Sequence, residues 1–326
     1  MVAPKRESLP QGGRRTRANA ALLLASALWG FAFVAQRVGA GHVGPLTFSG
    51  VRFALGFLVV LAVIAIRSAL RHVPWQQRRL AWRAVLWPGA LAGVLLTVAV
   101  NLQQAAMSSV PAGNAAFITG LYMVFVPVIA AFRGHRSSLA TILGVASSVV
   151  GLYLIAVTDA FTIGPGEILL IISTVIWALQ ILVIDHYGGP LSALRFAAVQ
   201  FFTCAVLSSL GALVIDPAPF SGIDQAVVPI LYGGILSVGV AFTLQVVGQR
   251  DALATHAALI MAMESVFGAI GGALILGESM GLRGYVGAAL MVTGMVVAQL
   301  GGVAVAPAVP VVPPEAVTDD QIEARR

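Results

Sequence analysis

Glu264 is a lone carboxylate near the middle of an apolar run, Thr255 to Leu276, long enough to cross a bilayer. A charge at that depth costs at least about 3 kcal/mol unless it is paired, wetted or protonated. Three chemistries are open to it. It could relay a proton, taking one up and releasing it as its surroundings change. It could recognise a substrate amine or ammonium. It could stay protonated and hydrogen-bond a neighbouring helix. Gly268 and Gly271, at +4 and +7, lie on nearly the same helical face, which is therefore expected to turn toward other helices. His256 opens the segment two turns earlier, either as a second proton acceptor in series or as a boundary residue.

Other side chains point to recognition rather than bond-making. Trp29 and Trp177 fall mid-segment, although tryptophan prefers the membrane interface. They could wall an amphipathic cavity with ring faces and an indole N–H, or serve as bulky packing. Asn101, Gln103, Gln104, Asn114, Tyr122, Gln180 and Gln245 place uncharged donors and acceptors in segments that would otherwise be apolar. Each could hydrogen-bond one helix to another. Their concentration in the third, fourth, sixth and eighth segments favours a shared cavity for small polar solutes. The expected cavity set is Trp29, Asn101, Gln104, Asn114, Tyr122, Trp177, Gln180, Gln245 and Glu264, with Glu264 as the candidate for proton coupling. Arg52 and Arg195 start segments near opposite faces and are expected to snorkel to headgroups. Arg37 and Asp185 read as interfacial charges, and Glu278-Ser279 as end-capping in a loop.

The segments that must position these residues follow from composition. Of 326 residues, 59% are hydrophobic and 10% charged, and mean hydropathy is +0.94. A soluble domain carries about a quarter charged residues. The chain is therefore expected to be an all-α integral membrane protein. At about 20 apolar residues per crossing, ten segments can be read: 19–38, 45–66, 84–105, 112–132, 139–157, 166–186, 191–215, 227–248, 255–276 and 283–302. With the N-terminus inside, all 19 Lys and Arg except Arg37, Arg52 and Arg283 fall on the cytoplasmic side. The net charge of +6 is thus a topology signal rather than a nucleic-acid signal. Both termini are expected in the cytoplasm of a multi-pass plasma (inner) membrane protein. The first apolar run is long for a cleaved leader and lacks a clear cleavage site, so it is read as a retained helix. Cys204 is the only cysteine, so neither a disulfide framework nor a thiolate metal site is expected.

The segments repeat. Trp29 and Trp177 are 148 residues apart, and Arg52-Phe53 recurs as Arg195-Phe196 at 143. Leu102-Gln103 matches Leu244-Gln245 at 142, as do Asn114-Ala115-Ala116 with His256-Ala257-Ala258, and Phe125 with Phe267. Gly144 and Gly151 match Gly287 and Gly294 at 143. Tyr122 stands where Glu264 stands in the second half. Five segments per half is an odd number, so the halves should be inverted in the membrane, a recurring plan among secondary transporters. The organisation expected is a basic cytoplasmic segment at 1–18, five-helix repeats at 19–157 and 158–302, and a Pro-rich, acidic disordered tail at 303–326. Pro127 should disturb the bond to the Met123 carbonyl and kink the fourth segment.

The first-segment run LLLASALWGFAFVAQR, the fourth-segment run AGNAAFITGLYMVFVPVIAAF and the stretch HAALIMAMESVFGAIGGALILGES resemble the EamA type of the drug/metabolite transporter superfamily. The resemblance covers residues 18–302. It implies a secondary carrier with a central cavity between its halves, peripheral fifth and tenth helices, and export of amino acids, drugs or other metabolites. On this chain it implies Trp29, Asn114, Trp177 and Glu264 at the cavity. Two positions depart from the family pattern: Ser265 follows the ninth-helix acid where a proline is common, and Gly134-His135 replaces a first-half Gly-Glu.

Competing classes lack their residues. No HExxH, nucleophile elbow or acid cluster suggests an enzyme, so no catalytic residue, metal ligand or cofactor is expected. A retinal protein needs a lysine in a helix, and the only lysine is Lys5. Charged or carbonyl rings of a channel are not evident. The expected function is secondary transport of small metabolites by alternating access, with a small-molecule substrate and the lipid bilayer as partners and a proton as the candidate coupling ion; the alternative is a non-transporting membrane receptor or scaffold of the same fold.

Overall fold

Hydrocarbon offers no partner to a backbone amide, so a chain this apolar must satisfy its backbone within each segment. The computed structural model describes residues 11–70, 75–110, 112–132, 137–156, 164–188, 192–277 and 281–300, and these are helical apart from short turns. In order they form α1 (Gln11–Ala40), α2 (Pro45–Leu70), α3 (Trp75–Ala106), α4 (Ala112–Gly120), α5 (Tyr122–Phe132), α6 (Leu139–Ala156), α7 (Pro165–Gly188) and α8 (Ala193–Ile215). Then come α9 (Val227–Leu231), a π-helical stretch (Tyr232–Phe242), α10 (Thr243–Gly248), α11 (Ala254–Met261), α12 (Glu264–Leu276) and α13 (Leu282–Leu300). Among the described residues, eight stretches are long and apolar enough to cross a membrane, with α4–α5, α9–α10 and α11–α12 each counting as one. Two shorter apolar helices, Leu139–Leu154 and Leu282–Ala298, lie in α6 and α13. The chain is a multi-pass membrane protein. Gly134-His135, Glu278-Ser279 and the tail from 303 lie outside the described residues.

Three crossings depart from regular α-helix, and each departure is placed where the interior is polar. Between α4 and α5 the ladder tightens to i→i+3, with Leu121 N–H donating to Ile118 O (3.2 Å) and Val124 N–H to Leu121 O (2.9 Å). Between α11 and α12 the same happens, Met263 N–H to Ile260 O (3.1 Å) and Val266 N–H to Met263 O (3.0 Å). Tyr122 and Glu264 open the second pieces of these two broken helices. Neighbouring hydroxyls bond nearby carbonyls: Thr174 donates to Ile118 O (2.9 Å) and Ser265 to Ala116 O (2.8 Å). The fourth crossing has an interruption that its proline does not mark. Pro127 sits inside a continuous α5, and the interruption is at Leu121, one residue before Tyr122. The two hydroxyl–carbonyl bonds reach the last turn of α4 just before this interruption and give its carbonyls donors from other helices.

Glycines set how closely the helices approach. The glycine-bearing face of α12 turns to α1, with Gly271 beside Phe31 and Val34. At Gly30 an added Cβ would lie 2.7 Å from both the Glu264 carbonyl oxygen and the Gly268 nitrogen. α6 and α13 pack antiparallel, chiefly on each other: Gly144 faces Gly294, Gly151 faces Gly287, and Ser147 donates to Leu290 O (3.0 Å). Their outer faces carry exposed Leu143, Val150, Tyr285 and Val292, as surfaces against lipid should. At one end of the bundle Asp216, after α8, accepts from both Thr47 N–H and Thr47 Oγ1 at 2.7 Å, capping the first turn of α2 from another helix.

Gly30→Ala should therefore destabilise the bundle. The intruding methyl meets backbone, which cannot rotate away, at a cost of about 1–3 kcal/mol. The expected readout is a lower melting temperature of the detergent-solubilised protein, with Gly113→Ala, where an added Cβ meets nothing within 4 Å, as the unaffected control.

Candidate substrate cavity

The crossings frame a chamber of about 470 Å³ with its open mouth included. Its walls come from α1 (Trp29, Phe33, Gln36), α2 (Arg52), α3 (Val100, Gln103), the α4–α5 break (Thr119, Tyr122) and α7 (Trp177, Ile181). The π-helical stretch and α10 add Ser237, Phe242 and Gln245, and the α11–α12 break adds Met261 and Glu264. Both halves contribute, and neither α6 nor α13 does.

At one side stand the two residues of the broken helices. Glu264 is 4% exposed, and Tyr122 is buried within its electrostatic reach. The Tyr122 hydroxyl faces the Glu264 carboxyl as its polar neighbour, and Glu264 Oε1 keeps no other hydrogen-bond partner among the described residues. A carboxyl held this way can exchange a proton with a solute or with its neighbour. His256 does not join them. Its Nε2 lies 3.4 Å from Thr141 Oγ1, on the side of α6.

The two tryptophans meet through a third ring. Trp29 is edge-on to Phe242 (centroids 4.7 Å, 60°) and Trp177 stacks on it (5.7 Å, 17°). Their indole N–H groups are used as well: Trp29 donates to the Ser237 carbonyl (3.3 Å) in the π-helical stretch, Trp177 to Gln103 Oε1 (3.1 Å). The rings therefore pack and line the cavity at once. π-Helical backbone is uncommon and recurs at functional sites; here it holds the carbonyl that fixes Trp29 and ends at Phe242.

Among the expected residues, Trp29, Tyr122, Trp177, Gln245 and Glu264 are on the cavity wall. Three others lie behind it. Gln180, fully buried, accepts from Gln245 (3.2 Å) and donates to Gln200 (3.4 Å). Asn101 donates to Thr97 O and Ser208 Oγ, both at 2.8 Å. Gln104 donates to the Gln36 carbonyl (3.2 Å). Each amide serves a helix–helix bond, the role open to any polar group in apolar surroundings. Asn114 lies on α4, and its side chain is outside the described residues. The matched Gln103 and Gln245 make equivalent contacts: Gln103 donates to Gln36 on α1 (3.1 Å), as Gln245 does to Gln180 on α7, each reaching the first helix of a half.

Arg52 corrects the sequence reading most. It was expected at the headgroups but is 2% exposed and faces the cavity. Its distance along α2 leaves both roles open, and rotation about the helix axis is what turns it inward. Gln36, Thr119, Ser237 and Phe242 were also not anticipated, because a single glutamine, threonine, serine or phenylalanine in an apolar helix has no periodic signature. Arg195, the sequence counterpart of Arg52, instead donates to Ser192 Oγ (3.4 Å) at the start of α8. Arg37 donates to the Met107 carbonyl beyond the end of α3.

Fold and cavity together define a polytopic helical membrane protein with a buried polar chamber between two halves. The chain belongs to the EamA-like transporter family, whose model matches it twice, over residues 16–157 and 164–299. It is a transporter of the drug/metabolite transporter superfamily. An uncharacterized transporter of Archaeoglobus fulgidus is 24% identical over 302 residues, covering 91% of this chain and 90% of that one. The uncharacterized transporter YoaV of Bacillus subtilis is 21% identical over 274 residues, covering 82% and 91%. A solved structure described only as the crystal structure of a protein superposes with a TM-score of 0.69 at 20% identity, over 87% of this chain and 97% of that chain, a likeness of fold.

The amide chain behind the wall gives a stability prediction. Gln180→Leu removes the acceptor of Gln245 and the donor to Gln200, leaving buried amides unpaired at a cost of about 1–3 kcal/mol. A fall in melting temperature on that scale is expected; an unchanged one would mean that the amides find other partners.

Proposed function

We propose that the protein is a secondary carrier that exports small metabolites (amino acids, drugs or similar solutes) across the plasma membrane, both termini being cytoplasmic. The observation that carries this reading is the cavity itself, walled by both halves and by no part of the α6–α13 pair. A chamber at such a seam opens to one side or the other when the halves rock, which is alternating access. Ten crossings in two inverted five-helix repeats fit the antiparallel α6–α13 contact, where Gly144–Gly294 and Gly151–Gly287 mirror each other. They also fit the helix breaks at the matched positions Leu121 and Met263. Export is the direction that the family resemblance implies. The positive-inside distribution supports cytoplasmic termini.

Trp29, Trp177, Tyr122 and Gln245 contact the solute in this reading, and Glu264 carries the coupling proton. Glu264 suits that role because it is the one carboxylate on the cavity wall, has an unpartnered oxygen and sits at a helix break. Its neutral form tolerates the enclosed state, and its charged form is tolerated when water enters.

Purified protein in proteoliposomes, screened for counterflow of amino acids, organic cations and nucleosides, tests the reading directly. Uptake above protein-free vesicles is expected for at least one class, and an imposed pH gradient should accelerate it. Glu264→Gln should bring gradient-driven uptake down to the gradient-free rate while counterflow persists. Full response of that variant to the gradient would remove Glu264 as the obligatory proton carrier, and no flux under any gradient would favour a receptor or scaffold.

A further inference from the structure

Arg52 is the cationic side chain of the cavity, and transport as described so far gives it nothing to do. Its guanidinium cannot shed its charge, unlike a carboxyl. Among the described residues it forms no ion pair and no hydrogen bond, and its Nε is buried without a partner. Its nearest planar neighbours are the rings of Phe48 (5.4 Å) and Phe53 (5.1 Å), which hold a cation by their faces but leave its N–H groups unused. Its stem is fixed: a Cβ at Gly233, in the π-helical stretch, would lie 3.3 Å from Arg52 Cδ, so the glycine makes room for the side chain. Glu264 faces the same chamber, and no ion pair joins the two. A buried cation without a counter-charge is strongly unfavourable. A planar fork of donors matches a carboxylate or phosphate oxygen pair.

We propose that Arg52 is the anion-recognising residue of the cavity, so that the transported solute bears a carboxylate-type anionic group, bound at Arg52, and an apolar body against Trp29, Trp177 and Phe242. This inference rests on the cavity being a transport site and narrows what it takes. Aromatic rings beside the guanidinium exclude water from the ion pair, which strengthens it. The polar side chains away from Arg52 are then free to read the rest of the solute.

Three probes that differ only in their head group test the proposal on the full-length protein: 3-phenylpropanoate, its neutral amide and 3-phenylpropylammonium. Binding is measured by isothermal titration calorimetry and by thermal shift in detergent. The anion is expected to bind tightest, and Arg52→Gln should weaken it at least about 30-fold, as removal of one member of a buried charge pair does. Arg52→Lys, which keeps the charge but loses the fork, should give an intermediate loss. Equal binding of the amide, tighter binding of the ammonium or no binding of the anion by the wild type overturns the proposal, and these outcomes require no variant to fold. Stabilisation by chloride alone to the same extent would make Arg52 a resident-ion site and also overturn it. Flux of solutes that is indifferent to an anionic group leaves transport standing and removes the role of Arg52. Anion binding without flux of any solute does the reverse.

Discussion

The absence of water from the hydrocarbon core is the constraint on which the rest of this structure depends. Each polar group carried into it must be met by another helix or face a chamber that a solute can enter. That requirement places Glu264 and Arg52 inward, and it calls for close neighbours on every other side. Gly30 supplies one such approach, letting the backbone of α12 come against α1 beside Glu264. The Gly144–Gly294 and Gly151–Gly287 pairs supply another, at the edge of the bundle. Small residues do in the bilayer what the hydrophobic effect does in water: they allow dense packing between surfaces that lipid would otherwise cover equally well.

The same constraint separates two kinds of polar residue that look alike on paper. Gln180, Asn101 and Gln104 use their donors on other helices and add cohesion. Gln245 and Gln103 do this from the chamber wall itself, Gln245 donating to Gln180 and Gln103 donating to Gln36 while accepting from Trp177. Glu264 and Arg52 are the extreme cases, charged or chargeable, enclosed, and with atoms left unpaired. A group that helices could have satisfied and did not is the informative one, because unsatisfied burial is the costlier arrangement.

Irregular backbone follows the polar interior. The tight turns at Leu121 and Met263 put Tyr122 and Glu264 at the heads of new helical pieces, and hydroxyls of Thr174 and Ser265 bond carbonyls of α4 just before the first of these turns. The π-helical stretch ends at Phe242, the ring that joins Trp29 to Trp177. These three irregular regions border the same chamber. Non-helical backbone survives at membrane depth only where protein or a cavity covers it. The breaks occupy matched positions of the two halves, but the side chains that follow them differ, one phenol and one acid.

By itself the sequence determined the class of protein. Apolar runs of bilayer length, the charge asymmetry and near-constant repeat offsets are one-dimensional quantities, and physics acts on them segment by segment. It also singled out Glu264, since an acid in the middle of such a run stands out without any neighbour being known. Which residues share the chamber was decided only by tertiary structure. Arg52 read as a headgroup residue because its distance along the helix was visible and its rotation about the helix was not. Gln180 and Asn101 looked like cavity groups because composition cannot tell an amide that faces solute from one that faces another helix. The break before Tyr122 has no local signature, since Leu121 is an ordinary helix former, whereas the hydroxyls of Thr174 and Ser265 reach the preceding turn from distant parts of the chain. Local sequence sets what each segment costs to bury; only the packed bundle settles which neighbour meets that cost.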